Sequence, residues 1–505
     1  MESAIYNAQK AVRVVSMMIP MTDFTSDQLN ELDKDPLIAI ILELREMVIK
    51  QSAQIQQQAS QIQDLQDQLA KNSENSGKPP SSDGLKKPRT RSLRKSQGRQ
   101  SGGQPGHKGH TLEMVEDPDH VIVHRVDSCP QCAANLSHVV PDKIEKRQVF
   151  DVPPVHFEVT EHQAETVTCC CGHTIKADFP LEVTQATQYG SRLKAQAVYL
   201  NNYQLIPLAR TCEVFEDFYG HSPSEALIVR ANATFVEQSE PTLDLIKNQL
   251  IQADVAHADE SGLRVEGSLH WLHVVSTQWL TYYAVHPKRG QDAMREIGIL
   301  SAFSGRLIHD CWASYFTLIN CLHGLCNAHI LRELQFIVDQ YDQTWTLDMG
   351  KLLLDIKAEV EATPMEQMAL SPVIIEHYQK YYDELLQLGF DANPPPEHSP
   401  LPKPGRKKHS PPKNLLDRLQ KYKSEILIFM YDFRVPFDNN LAERDIRMIK
   451  VKQKISDSFR TRNGADIFCA IRSYISTARK QDVNVIQAIY DAFNGQPFIP
   501  LVRED

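Results

Sequence analysis

Hydrophobic positions along the chain change period several times, and each change marks an element. Between Leu37 and Leu69, apolar side chains recur every seven residues at Ile41, Val48, Ile55, Ile62 and Leu69, with Leu37, Leu44 and Leu65 on a second line. β-Branched residues on the first line and Leu on the second predict a parallel two-stranded coiled coil over 37–70, after a leader at 1–36. Gln51 and Gln58 interrupt the second line and would set its register. Past Asn72 the periodicity vanishes. From "NSENSGKPPSSDG" to "SGGQPGHKGH" the chain is too polar and too rich in Gly and Pro to build a core, which predicts a linker at 71–118. Alternation returns in "KRQVFDVPPVHFEVTEHQAETVTC" and predicts short strands in a small domain at 119–180. From Tyr189 to Arg230 the pattern is helical, with breaks at Gly220 and Pro223. Within a helical region at 181–250 these breaks fit a helix-turn-helix and an ordinary helical pair equally well.

After Leu250 the period falls to two. "DVAHADESGLRV", "HWLHVVST" and "WLTYYAVHP" read as three strands, and Gln291 to Leu300 as a helix. "GRLIHDCWASY" reads as a fourth strand with Asp310 at its end, and "LHGLCN" as a fifth that leads into the helix "AHILRELQFIV". Three strands in a row followed by alternation predict an α/β domain, a mixed sheet with helices on its faces. Its first part spans 251–335 and its last part 426–480, with a tail at 481–505. Between them lies a helical insertion at 336–425, interrupted by "NPPPEHSPLPKPGRKKHSPPK".

At 505 residues the chain exceeds what one hydrophobic core usually organises. Its net charge of −10 argues against a nucleic-acid partner until it is mapped. Gly84 to Leu112 carries eight Lys or Arg and no acid, so a total of −10 leaves −18 on the remainder. Lys86, Lys87, Arg89, Arg91, Arg94 and Lys95 form a basic arm suited to phosphate contact. No apolar run approaches the roughly 20 residues needed to span a bilayer. Val14 to Met21 follows Lys10 and Arg13 but lacks a convincing cleavage site. The reading is a cytoplasmic, nucleoid-associated protein with no membrane partner.

Five of the ten cysteines fall in two tight groups, Cys129-Pro-Gln-Cys132 and Cys169-Cys170-Cys171-Gly172-His173, a pattern of metal binding in a reducing compartment. Tetrahedral zinc needs four soft or imidazole ligands. Cys129, Cys132, Cys169 and Cys171 are the favoured set, and the choice within the second group stays open.

Two acids read at strand ends, Asp259 in "HADES" and Asp310 in "IHDCW", can meet in such a sheet although 51 positions separate them. Hard carboxylate oxygens are what magnesium or manganese requires. A third carboxylate is expected from a helix beside the sheet. Glu443 in "FDNNLAERDIRMIKVKQK" is the candidate, with Asn439 or Asn440 as the cap and Arg447, Lys450 and Lys454 on the same helical face as phosphate contacts.

Taken in order, "KPPSSD", "GGQPGHKGH", the two cysteine groups, "HADESG", "HDCWASY", "CNAHILREL", "RVPFDNNLAERDIRMIKVKQKIS" and "FRTRNGADIFCAIRSYISTARK" resemble the insertion-sequence sixty-six transposases, from about residue 37 to residue 480. The resemblance implies a ribonuclease H-like catalytic domain with an Asp, Asp, Glu triad at Asp259, Asp310 and Glu443. It also implies a helical insertion before the Glu, an N-terminal zipper and a zinc-binding domain. The implied activity is cleavage of element ends and strand transfer into target DNA with a divalent metal. Double-stranded DNA is the partner, a homo-oligomer the assembly, and accessory transposition proteins a further expectation. In related transposases a Cys-x-x-His element adjoins the catalytic strand; Cys326 and His329 match it, as a structural element beside the site. Ser456-Asp457-Ser458-Phe459-Arg460 departs from the family, which has Gly where Asp457 stands, and predicts strain if that turn needs positive φ. The alternative function is a non-catalytic, zinc-containing dimeric DNA-binding protein derived from a decayed transposase.

Overall fold

The computed structural model describes residues 27, 33–71, 112–364, 366–394 and 410–501. Lys86, Lys87, Arg89, Arg91, Arg94 and Lys95 lie outside the described residues, as does most of the leader. Among the described residues the regular elements, in chain order, include helix α1 (Lys34–Ala70) and then the short strands β1 (Thr166–Thr168) and β2 (Thr174–Lys176). Three helices follow, α2 (Ser191–Val198), α3 (Leu208–Tyr219) and α4 (Glu225–Gln252), with a π-helical turn at Tyr199–Tyr203. The sheet region comprises β3 (Val255–Val265), β4 (Ser268–Ser276), β5 (Thr281–His286), α5 (Gln291–Ile297), β6 (Arg306–His309) and β7 (Leu322–Leu325). Then come α6 (Asn327–Tyr341), α7 (Trp345–Ala362), α8 (Pro372–Ala392), α9 (Pro411–Lys421) and α10 (Lys423–Tyr431). The chain closes with α11 (Asn440–Ser456), α12 (Arg462–Lys480) and α13 (Val485–Phe493). Among the described residues no helix is long and apolar enough to cross a membrane.

These elements form two compact units, one of residues 1–90 with 326–433 and the other of 91–325 with 434–505. The second holds the mixed five-stranded sheet, ordered β5-β4-β3-β6-β7. β3 runs antiparallel to β4, and β4 to β5, whereas β6 and β7 join in parallel. The mixed sheet read from the periodicity is therefore present, with all five strands in the expected segments. Alternation along β3 assigns its two faces. Leu263 and Val265 bury against Ala442, Ile446 and Ile449 of α11, while Ala256 and Ala258 bury with Leu250, Met294, Phe303 and Tyr315.

The sheet's β5 edge is covered by α12. Thr477 Oγ1 accepts from Thr281 N (3.0 Å) and donates to Thr281 O (3.2 Å), Ser473 Oγ accepts from Tyr283 N (2.8 Å), and Arg462 Nη2 donates to Val285 O (2.6 Å). Residues spaced by two along the strand thus meet one face of a helix, and the open row of backbone groups is satisfied by side chains.

One sequence expectation is corrected in this unit. The alternating stretch from Lys146 forms no strand before Thr166, and there β1 and β2 form the ladder, with Val167 opposite Ile175. Alternation gives a strand only when a partner edge exists, and Pro153-Pro154 removes two donors from the middle of this stretch. The helical region breaks where the sequence places the break: α3 ends at left-handed Gly220 (φ 70°), and α4 starts after Ser224, runs 28 residues and buries Ile228, Phe235, Ile246 and Leu250. Its inward stripe makes it a core helix.

In the other unit, α6 to α10 pack as a helical body around Trp345, Leu353, Tyr382, Leu416 and Leu427. Gly389 permits the α8–α9 approach, since a Cβ there would stand 2.4 Å from Leu416. Helix α1 spans 37 residues, and its end is attached by Tyr341 Oη donating to Asp67 Oδ2 (2.5 Å) and by Lys71 over the Phe336 ring (5.4 Å). Ile41, Val48, Ile55, Ile62, Leu65 and Leu69 are all exposed within the single chain, so the heptad stripe is helical and outward-facing.

Candidate active site

Strand register brings the first two acids together. Val255, Ala256 and His257 of β3 stand opposite Arg306, Leu307 and Ile308 of β6. Continuing that parallel register by two residues sets Asp259 opposite Asp310, on strands roughly 4.8 Å apart. Asp259 therefore lies inside an 11-residue strand and not at its end, as the sequence reading had it. What ends there is the pairing with β6. Alternation then turns Asp259 toward α11, with Leu263 and Val265, and turns Glu260 to the opposite face.

Glu443 occupies the first turn of α11, with its side chain 14% exposed. The helix is fixed to the strand by Asn439, the residue before it. Asn439 Nδ2 donates to Ala258 O (2.8 Å), its Oδ1 accepts from His257 Nδ1 (2.8 Å), and its carbonyl accepts from Glu443 N (3.2 Å). Asn439 is thus the N-cap residue by position, but its amide makes no side-chain cap; it is spent on β3. Burial drives the His257 imidazole down to about 4, so it serves here as a neutral donor.

Asp259 is held well above the ordinary carboxylate range, first by burial and then by the charge of Glu260, with Asp310 and Glu443 adding to it. Such a group of mutually repelling carboxylates is a hard-oxygen donor set that fits a divalent magnesium or manganese ion. Among the described residues no three of these oxygens stand within 4.8 Å of one another. Nearby, Asp445 points elsewhere: it accepts from Lys480 Nζ (2.7 Å) and Thr281 Oγ1 (3.2 Å), as a structural acid of the edge.

Of the basic residues expected beside Glu443, Arg447 reaches within 3.9 Å of it and is mostly exposed. Lys450 is half-buried and donates to Gly262 O (3.3 Å); burial lowers its pKa while the Asp259 charge opposes that. Lys454 is exposed one turn further on. Asp457 ends α11 at φ 56° and ψ −76°, and Ser458 N donates to Ser456 O (2.7 Å), which makes a positive-φ γ-turn. The left-handed conformation expected there is present. The turn delivers Phe459 to the end of β3, where its N donates to Arg264 O (3.0 Å).

A fourth carboxylate beside the site is one that the sequence reading misses. Glu260 has a side chain only 1% exposed, and it takes Arg289 Nε (2.8 Å) and Nη2 (2.5 Å) on Oε1 and the Tyr315 hydroxyl on Oε2. Period-two counting from Asp259 was the available signal, since it separates the two adjacent acids onto opposite faces.

The cysteine groups both sit on turns. Cys129 N donates to Ala134 O (3.0 Å) beside a bridge between Ser128 and Asn135, with Ala133 at φ 55°. Cys169 N donates to His173 O (2.8 Å) across the turn joining β1 to β2, with Gly172 at φ 86°. Backbone N–H groups aimed at sulfur from Cys132 and Cys171 lower the Cys129 and Cys169 thiols respectively, which favours the thiolates that zinc binds. Among the described residues no three of the four favoured thiols converge within 4.8 Å. Cys326 is buried at the start of α6, and His329 N donates to its carbonyl (3.1 Å).

Comparison with known proteins matches residues 186–467 to the family described as Transposase IS66 family. Residues 127–172 match the zinc-finger binding domain of transposase IS66, and residues 27–113 match a family of unknown function. No curated protein matches the chain. Among solved structures, a chain of the Drosophila P element transposase strand transfer complex aligns with 11% identity over 60% of this chain and 94% of that one. Its TM-score of 0.32 is too low to carry an argument.

Proposed function

Since the chain belongs to the IS66 transposase family, with a matched zinc-finger domain ahead of the transposase region, we propose that it cleaves the ends of an insertion sequence and joins them to target DNA through a DDE site. The observation that carries this reading is that β3, the end of the adjacent parallel β6 and the first turn of α11 bear Asp259, Asp310 and Glu443, and that burial first, then the charges of Glu260, Asp310 and Glu443, raise the Asp259 carboxyl. The strand order, three antiparallel strands continued by two parallel ones, supports a ribonuclease H-like catalytic domain.

In this mechanism Asp259, Asp310 and Glu443 hold the divalent ions. Magnesium or manganese, when bound, supplies the charge that stabilises the attacking and leaving oxygens of an in-line phosphoryl displacement. Lys450, held beside Gly262, and Arg447 offset phosphate charge as it grows on the DNA. The first step is hydrolysis at the element end; in the second a DNA 3′-hydroxyl is the nucleophile. Cys129, Cys132, Cys169 and Cys171 hold a structural zinc. The arm from Lys86 to Lys95 contributes phosphate contacts without base selectivity, and each contact adds about 0.9 to the salt slope of binding. The outward stripe of α1 pairs with a second copy as a coiled coil, since burial against a second stripe removes its exposed Ile and Leu from water.

The test is incubation of purified protein with labelled element ends and magnesium. Asp259→Asn, Asp310→Asn and Glu443→Gln should each abolish nicking and leave DNA affinity intact. Wild-type protein that binds ends and never nicks would identify a non-catalytic DNA-binding relative instead.

A further inference from the structure

Resting on the assignment of Asp259 and Asp310 as metal ligands, we propose that Glu260 is a positioning residue that sets, through Arg289 and Tyr315, where the loop carrying Asp310 stands against β3. Glu260 is not a ligand from this position, because β3 turns it to the face opposite Asp259 and its side chain is 1% exposed. Both of its oxygens are engaged. Oε1 accepts from Arg289 Nε and Nη2, and Oε2 accepts from Tyr315.

Each partner leads back to Asp310. The Arg289 guanidinium lies over Trp312 (4.1 Å to the centroid) and over Trp271 (4.8 Å). Trp312 N donates to Asp310 Oδ1 (2.9 Å), and Trp312 meets Tyr315 edge to face at 5.7 Å. Tyr315 is buried and stacks on His309, the last residue of β6, at 4.6 Å. The segment 309–315 is therefore held at its start, at Trp312 and at Tyr315, and two of these holds end on Glu260. A buried carboxylate costs several kcal/mol unless it is paired and fully hydrogen-bonded, as this one is. Outer residues of this kind, which orient ligands, typically change metal affinity 10–100-fold when removed.

The experiment uses the full chain with Glu260→Gln, Arg289→Lys and Tyr315→Phe. Three quantities are measured: manganese affinity by calorimetry without DNA, the magnesium concentration for half-maximal nicking, and affinity for element ends. A Gln has one acceptor oxygen where two are used, so Glu260→Gln should weaken manganese binding and raise the magnesium midpoint about tenfold or more. Tyr315→Phe, which removes one hydroxyl and keeps the ring, should shift both in the same direction by a smaller factor, and DNA affinity should stay within about twofold for all three. Should Glu260→Gln fail to fold, Tyr315→Phe alone carries the test. Metal affinities unchanged within about twofold, with only the melting temperature lowered, would reduce the network to a structural role and overturn the proposal. Tighter metal binding in Arg289→Lys would also overturn it, because that is what freeing a direct ligand would do. Wild-type nicking by Asp259→Asn would instead remove the premise about the acids.

Discussion

The acids at 259, 310 and 443 and the cysteines at 129, 132, 169 and 171 are both sets of candidate ligands that repel one another when ionised, one seated in a layered sheet and the other on open turns. Around the acids, Asn439, Arg289 and Tyr315 tie the elements that bear them to β3 before any ion is considered. Around the cysteines, hydrogen bonds shape each turn internally and no three thiols converge. The difference teaches where ordering energy resides. A sheet can hold repelling carboxylates because hydrophobic layers on both faces and buried hydrogen bonds offset their repulsion; a segment whose Val121, Ile122, Val149 and Val159 are exposed has no such reserve and depends on its ion.

The largest expected effects separate these two modes. Asp259→Asn combined with Glu443→Gln should lower nicking by roughly 10³-fold or more and be no worse than either single change, because the ligands act as a unit. The same Asp259→Asn change should stabilise the metal-free protein at neutral pH. Asp259 has a raised folded value, so between the unfolded and folded values the native state holds a proton that the unfolded chain has released, and wild-type stability falls as pH rises through that interval. The advantage of Asn should fade below the unfolded value, near 3.9. Melting curves with chelator at pH 3.5 and pH 7.5 decide this, and an advantage of equal size at both would refute the electrostatic account.

Cys129→Ser with Cys132→Ser should release stoichiometric zinc and open the segment around residues 127–176 to protease, while the melting of the catalytic sheet stays within about 1 kcal/mol. Unchanged zinc content by elemental analysis would remove the assignment. Next in size, Asn439→Ala should cost about 2–4 kcal/mol, since it leaves the His257 donor and the Ala258 carbonyl buried without this partner. Denaturant unfolding measures it, and a loss below about 0.5 kcal/mol would mean that water replaces the amide. Asp457→Gly should act the other way and stabilise by roughly 1 kcal/mol, because Gly adopts the φ 56° of this turn without strain. A destabilised Gly variant would show that the Asp side chain earns its place there.

Much of this arrangement was legible because period and spacing act locally. The five strands follow from alternation, and Asp259, Asp310 and Glu443 were singled out from a strand, a strand end and a helix start. Less legible were features whose partners lie far away in sequence. Nothing around Thr477 or Ser473 announces that they satisfy Thr281 and Tyr283, because the pairing spans 196 and 190 positions. Arg289 reads as a loop residue until Trp271 and Trp312 enclose it. Asn439 carried a correct signal for a helix start and a misleading one for its side chain, since a propensity ranks caps without knowing that a strand carbonyl stands closer. The alternating residues from Lys146 repeat the lesson from the other side, with the pattern of a strand and no strand formed before Thr166.

The cover that α12 lays over β5 also has a consequence in time. A nascent chain that has completed Thr281 must still add 196 residues before Thr477 emerges to close that edge. At roughly 5–20 residues per second this is an interval of about 10–40 s, in which a bare β-edge and an acidic site without its third carboxylate are exposed on the ribosome. Premature termination anywhere in that window yields a sheet with an open border, and termination before residue 443 also removes Glu443. A product truncated before residue 443 is therefore a fragment prone to pair with strands of other chains, and one that lacks the third acid of the proposed site.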